Sequence, residues 1–213
     1  MYKLYYYPGN ANTAPHMMLE EIGVDFKLLL VDRKSDAQKS ADYLKLNPAG
    51  RIPTLVDGDL VLFESPAICV HLAEQHPNAH LIPALGTPQR AKFHQWMMYL
   101  TNTVQAELMV YFYPDKHTDD PDNAAPLKTA AERRVTDMFW LLDDELTQRP
   151  YLTGDAVTAC DFFFMMLCIW ADEFETPPHA LPNLAAYLKR MASRPSVQAA
   201  CKTEKLSLEL YGQ

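Results

Sequence analysis

The chain has few cysteines, and none of them stands in a working array. Cys69, Cys160, Cys168 and Cys201 form neither a C-x-x-C pair nor a Cys/His metal spacing. Each falls in a helix-like stretch, as small buried hydrophobes do, so a reduced, cytoplasmic chain with no metal is expected. A basic surplus is also missing. Nineteen Lys and Arg against 27 Asp and Glu leave −8, and the acidity is even, with 7 basic and 10 acidic side chains in residues 1–80. Such a chain has no basic stripe to attract nucleic acid or an anionic membrane surface. Long apolar runs are absent too. MYKLYYYPGN holds no apolar core of signal-peptide length, so export by that route is not expected. The longest strongly apolar run, Phe162–Ala171, is ten residues, about half of a membrane-spanning helix. Repeats and low-complexity segments are lacking. What is present, 48% hydrophobic and 22% charged residues over 213 positions, suits a globular chain that buries a sizeable core in one or two domains.

Residues 1–76 alternate strand and helix signals. Lys3–Tyr7 is short and Tyr-rich and ends at Pro8-Gly9, a strand and a turn. Met17, Met18, Leu19 and Ile22 follow at helical spacing, with Gly23 as the stop. Phe26–Val31 has strand length, and Ser40–Leu46 reads as a weak helix broken at Asn47-Pro48. Ile52–Val56 and Leu60–Phe63 flank Asp57-Gly58-Asp59, a hairpin signal. Ser65–His76 reads as a helix with Ser65 at the N-cap and Pro66 at N1. The order β-α-β-α-β-β-α predicts a mixed four-stranded sheet covered by helices.

Beyond the Pro77–Pro88 stretch no hairpin signal recurs. Phe93, Trp96, Met97, Leu100, Val104, Leu108 and Phe112 fall on one helical face, and Val135, Met138, Phe139, Leu142 and Leu146 on another. Phe162–Ala171, apolar all round, predicts a helix in the middle of a bundle. Thr158 and Asp161 precede it at capping-box spacing. Shorter helices fit Leu184–Ala192 and Ser196–Cys201. The fold class is an α/β N-terminal domain over 1–78, a linker over 79–86 and an all-α C-terminal domain over 87–213.

Three strings converge on a family. They are Asn47-Pro48-Ala49-Gly50-Arg51-Ile52-Pro53-Thr54-Leu55, then Leu62-Phe63-Glu64-Ser65-Pro66-Ala67-Ile68, then Leu152-Thr153-Gly154-Asp155 running into Thr158-Ala159-Cys160-Asp161. In this order, across a sheet-to-helix boundary, they resemble the glutathione S-transferase superfamily over nearly the whole chain. Gly9–Glu20, with Ala14-Pro15-His16, looks like the bacterial beta-like classes. The resemblance implies a thioredoxin-like N-terminal domain, glutathione as co-substrate, a homodimer and a role in detoxification. It implies a cis bond before Pro53, with the N–H and C=O of Ile52 pairing the cysteinyl part of glutathione. It places the γ-glutamyl carboxylate at Ser65, where helix amides form an anion site, and the ligand's α-ammonium at Glu64. Thr158 and Asp161 match the family's helix cap and should not touch substrate.

Chemistry in that family needs glutathione as thiolate. Lowering a thiol pKa near 8.5 by about 2 units takes ~2.7 kcal/mol. One hydrogen bond to the charged sulfur supplies roughly 1.5–3 kcal/mol, and a helix N-terminus about 0.3–1. One good donor is nearly enough, and the classes use Tyr, Ser or Cys. Here the sequence departs from them: Ala11 aligns with the beta-like cysteine and Gly9 with the Ser or Cys of the theta-, zeta- and omega-like classes. Mixed-disulfide chemistry by a protein thiol is therefore disfavoured. Asn12, Asn10, Thr13 and Tyr6 are left as candidate sulfur contacts, with Asn12 or Thr13 alternatively capping the first helix. A small hydrophobic electrophile would bind between the domains against Tyr99, Asn102, Met109, Tyr111 and Tyr113, which lie off the core face of the first bundle helix. Ala106 and Glu107 stand where beta-like members carry His and Lys. His16, His71 and His94 read as core or surface residues. The function that follows is a glutathione transferase acting on electrophilic, peroxide or disulfide substrates. A glutathione-dependent isomerase and a non-enzymatic regulatory protein of the same fold remain as alternatives.

Overall fold

Inward-facing Leu4 and Leu55 sit opposite one another on neighbouring strands and are fully buried. Around them the computed structural model, which describes residues 1–212, builds a sheet from β1 (Tyr2–Tyr6), β2 (Phe26–Leu30), β3 (Thr54–Asp57) and β4 (Leu60–Phe63). Its order is β2-β1-β3-β4, parallel between β1 and β2 and antiparallel elsewhere. The helices are α1 (Thr13–Ile22), α2 (Ala41–Leu46) and α3 (Ser65–Gln75). Gly23, at φ 74°, stops α1 by bonding back to the Leu19 carbonyl. Met17, Met18 and Leu19 of α1 and Ile68, Leu72 and Ala73 of α3 are fully buried. The strands and helices match the sequence reading. One detail shifts: Glu64 precedes α3, so Ser65 is its first residue rather than its N-cap.

By packing, the chain from Arg190 onward groups with Met1–Ile82, and Pro83–Lys189 forms the second unit. The local pattern of Ser196–Cys201 carries no sign of that partition. It is made by α9 (Pro195–Glu204), which lies against α1. Arg194 and Ser196 at its start both donate to the Glu21 carboxylate of α1.

The second unit holds α4 (Pro88–Tyr99), α5 (Ala106–Phe112), α6 (Ala124–Glu145), α7 (Ala159–Trp170) and most of α8 (Pro182–Ala192). Every residue from Ala159 to Cys168 is buried, as the all-round apolar run predicts. Asp161 is the polar exception. Its carboxylate accepts the N–H groups of Leu152 (3.0 Å) and Thr158 (2.8 Å) and the hydroxyls of Thr158 and Tyr187, so the expected capping box is present.

The first bundle helix is not one continuous α-helix. A π-helical turn, Leu100–Gln105, separates α4 from α5, and Thr101 Oγ1 donates to the Met97 carbonyl at its entry (2.8 Å). Spacings of four would drift about 40° per step in an α-helix; the wider turn keeps Leu100, Val104 and Leu108 in line and fully buried. The expected face is corrected at its end. Tyr111 is 9% exposed and Phe112 is 42% exposed. The Tyr111 ring lies 4.6 Å from that of buried Phe174, with the Lys128 ammonium 4.7 Å from its centroid. Burial, with Glu132 and Glu173 nearby, pushes the Tyr111 hydroxyl up from its ordinary value.

Asp143 of α6, 2% exposed, caps α8 from a distance by accepting the N–H groups of Asn183 (2.8 Å) and Leu184 (2.7 Å). Asp143→Ala leaves buried donors without an acceptor and is expected to cost about 2–4 kcal/mol. Calorimetry should show a transition several degrees lower; an unchanged transition would remove Asp143 from the account of α8.

Candidate functional site

Thr54 pairs with Tyr5 on one side and Phe63 on the other. Three segments therefore leave one end of the sheet together: Tyr6–Thr13 after β1, Arg51–Pro53 before β3, and Glu64–Ser65 after β4. The strand alternation that buries Leu4 forces this register, and a slip of one residue would turn it outward.

The segment before β3 is held by its backbone. The Arg51 carbonyl accepts from the Tyr43 hydroxyl (2.8 Å) and from Asn47 Nδ2 (2.8 Å), while Asn47 Oδ1 accepts the Ala49 N–H (3.0 Å). Tyr43 also bonds Thr54 Oγ1 (2.9 Å) and meets Tyr5 edge-on. The Ile52–Pro53 bond is cis. Glu64 follows β4 at φ 71°, a left-handed conformation that is costly for a non-glycine residue and recurs at functional sites. Its side chain is exposed, whereas Ser65 is 3% exposed and donates to the Ala11 carbonyl (2.6 Å). That bond ties the start of α3 to the loop before α1. It also occupies the Ser65 hydroxyl proton.

The loop itself hangs on one carboxylate. Glu204 of α9, 1% exposed, accepts from Gly9 N–H (3.0 Å), Asn12 Nδ2 (2.9 Å), Thr13 Oγ1 (2.7 Å) and His16 Nδ1 (2.7 Å). Asn12 Oδ1 accepts the Tyr7 N–H (3.0 Å). Asn12 is fully buried and Thr13 is 1% exposed, so the polar groups of both are spent on the scaffold. Gly9 has φ 72°, and a Cβ there would stand 3.4 Å from Leu206 Cδ2, so the turn takes glycine. Asn10 differs from its neighbours. It is half-buried, its Nδ2 donates to the Pro8 carbonyl (3.3 Å), and its Oδ1 accepts from Arg33 Nη1 (2.5 Å). Tyr6 is half-buried at the end of β1, and its carbonyl takes the Val31 N–H (2.9 Å).

His16 belongs to the core, fully buried, while His71 pairs with Asp57 (2.9 Å) and His94 accepts from Arg90 (3.1 Å). All four cysteines are free and buried, and burial pushes Cys201 up to about 12 and Cys69 and Cys168 upward too.

Tyr99, Asn102, Met109, Tyr111 and Tyr113 all lie in the second unit and differ in exposure. Asn102 is exposed on the π-helical turn, and Tyr99, Met109 and Tyr113 are half-buried. Burial raises the Tyr99 hydroxyl pKa, and Lys116 covers the Tyr113 ring at 4.4 Å. Tyr111 belongs to the core. Glu107 is engaged by Arg134 of α6.

Sequence reading missed Glu204 and Arg33. A signal existed for Glu204: Val197, Ala200, Cys201 and Glu204 are spaced three, four and seven apart on one stripe, and all are buried. Arg33 sits in a short exposed turn and has no such signal.

Residues 1–74 match the family pattern described as "Glutathione S-transferase, N-terminal domain", and residues 100–195 match "Glutathione S-transferase, C-terminal domain". The glutathione S-transferase GstA of Escherichia coli O157:H7 is 31% identical over 207 residues, covering 96% of this chain and 99% of that protein. Glutathione S-transferase GST-4.5 of Xanthomonas campestris pv. campestris is 28% identical over 205 residues, covering 96% and 100%. A sphingomonad glutathione S-transferase complexed with glutathione has a TM-score of 0.84 at 31% identity, covering 96% of this chain and 100% of that one.

Proposed function

Since this chain belongs to the glutathione S-transferase family, we propose that the sheet end bearing Asn10, Ile52, Glu64 and Ser65 binds glutathione and holds its sulfur as thiolate for attack on a small electrophile. One observation carries the reading: the Ser65–Ala11 bond joins the start of α3 to the loop at the position of the beta-like cysteine. Ile52 offers its N–H and C=O to the cysteinyl part, and Glu64 faces the α-ammonium. The first amides of α3, an 11-residue helix, take the γ-glutamyl carboxylate. With its hydroxyl committed to Ala11, Ser65 acts on the ligand mainly through that helix start.

Asn10 is the side chain assigned to the sulfur. Asn12 and Thr13 are the framework behind it, because their polar groups are already engaged. An amide donates to a thiolate but cannot accept its proton, so water or the ligand's own carboxylates take the proton. The start of α1 adds its dipole. The electrophile is assigned to the half-buried aromatic side of α4 and α5, at Tyr99, Met109 and Tyr113 with Asn102; Tyr111 supports that side from the core. The protein is proposed to work in the cytoplasm as a homodimer, with exposed Leu60, Val61 and Phe63 of edge strand β4 as the apolar surface a second copy would cover.

Thermal unfolding with and without glutathione tests the reading. A ligand at 100-fold over its Kd adds about 2.7 kcal/mol, so a clear rise in Tm is expected at millimolar glutathione. Ser65→Ala, which loosens the tie to Ala11, should weaken binding about tenfold and shrink the shift. No shift for the unmodified protein would sink the proposal.

A further inference from the structure

The loop has an electrostatic problem that its own residues do not solve. A thiolate held at Asn10 would face the buried Glu204 carboxylate behind the loop, in a chain of net charge −8. Like charges disfavour ionisation. His16 already bonds the Glu204 carboxylate (2.7 Å), and a second cationic side chain reaches the loop: Arg33, in the turn after β2, donates 23 residues back to Asn10 Oδ1.

A guanidinium only donates, so the Asn10 atom facing Arg33 Nη1 is the carbonyl oxygen, which settles the orientation of the amide. One Nδ2 hydrogen goes to the Pro8 carbonyl. The second is then fixed in direction. A charged donor on the oxygen also polarises the amide and strengthens its N–H as a donor. We propose that Arg33 is a positioning residue for thiolate formation, fixing and polarising the Asn10 amide and setting a positive charge against Glu204. It thereby offsets the missing Tyr, Ser or Cys. The charged groups about the loop are Glu204 and His16 behind it, Glu20 beside His16 (3.8 Å), exposed Glu64 before α3, and Asp32 and Lys34, which flank Arg33 in the chain; the Asp32 carboxylate is turned to the Lys34 N–H.

This inference rests on the glutathione reading, so its test separates the two. Thiolate ultraviolet absorbance of bound glutathione is followed against pH in the unmodified protein, Arg33→Gln and Arg33→Lys, and calorimetry gives the Kd of S-methylglutathione, which has no thiol. Arg33→Gln should raise the bound thiol pKa by about 0.5–1 unit, a three- to tenfold loss of thiolate at neutral pH, with the S-methylglutathione Kd changed less than about threefold. Arg33→Lys should recover part of the shift, and in an Asn10→Ala background Arg33→Gln should add clearly less than it does alone, since only the effect of its charge is left. An unchanged thiol pKa in Arg33→Gln overturns the inference. So does an equal loss of affinity for both ligands without a pKa change, which would make Arg33 a carboxylate clamp. Failure of the unmodified protein to bind S-methylglutathione would overturn the underlying reading.

Discussion

Glu204→Ala is expected to destabilise the sheet unit by about 3–5 kcal/mol, roughly a fifth or more of the 5–15 kcal/mol that holds a typical domain. The loss is large because the carboxylate is the shared acceptor of Gly9 N–H, Asn12 Nδ2, Thr13 Oγ1 and His16 Nδ1. Truncation takes the shared acceptor from Gly9, Asn12 and His16, while the Thr13 hydroxyl can still turn to the Asn10 carbonyl (2.9 Å); each buried donor left unsatisfied costs about 1–3 kcal/mol unless the loop opens to water. Opening the loop releases Asn10 as well, so the glutathione-dependent rise in Tm should disappear with the stability. Glu204→Gln keeps the shape but turns an NH2 toward a donor, and about 2 kcal/mol is expected. Urea unfolding reads both variants. A midpoint for Glu204→Ala equal to that of the unmodified protein would show that the loop stands without α9.

The second large effect belongs to the helical unit. Asp161→Ala strips the acceptor from the Leu152 and Thr158 amides at the start of the most buried helix, while the Tyr187 hydroxyl keeps the residue's backbone carbonyl (3.1 Å). A cost of about 3–5 kcal/mol is expected, with loss of soluble protein as the visible result. A pH signature distinguishes this carboxyl from a neutral cap. Burial pushes Asp161 up to about 6, although the Leu152, Thr158 and Tyr187 donors hold it down. Its folded-state value lies above the unfolded one, so its contribution is complete below about pH 4 and falls away as pH rises through 6. Asp161→Asn removes the titration. The stability of the unmodified protein relative to Asp161→Asn should therefore shrink by roughly 1 kcal/mol between pH 5 and pH 7. A difference that is flat, or that grows with pH, would contradict the burial-raised value.

How far the sequence could be read depended on the range of the interaction. The hairpin at Asp57-Gly58-Asp59, the stop at Gly23 and the capping box at Thr158 and Asp161 are local, and each appears where its residues predict it. The π-helical turn is local as well, but its mark is a single Thr101 hydroxyl on the Met97 carbonyl, which periodicity does not register. At the candidate site the polar residues of the loop were legible and their duties were not. Asn12 and Thr13 read from the sequence as sulfur contacts or as caps of the first helix, and neither reading reaches α9. Their partner lies 192 and 191 residues further along the chain. Asn10 is separated from its neighbours only by exposure, and exposure depends on where α9 packs.

That dependence has a consequence for synthesis. A ribosome completes β1, α1, the cis Ile52–Pro53 segment and Ser65 long before it reaches residue 204. Every contact among the three site segments can form in the nascent chain, while the acceptor that gathers Gly9, Asn12, Thr13 and His16 emerges about 190 residues after them. A product cut short before residue 204 would hold every strand of the sheet and still lack the carboxylate on which the loop before α1 hangs. Helix α9 thus acts as a late check on the loop that it completes.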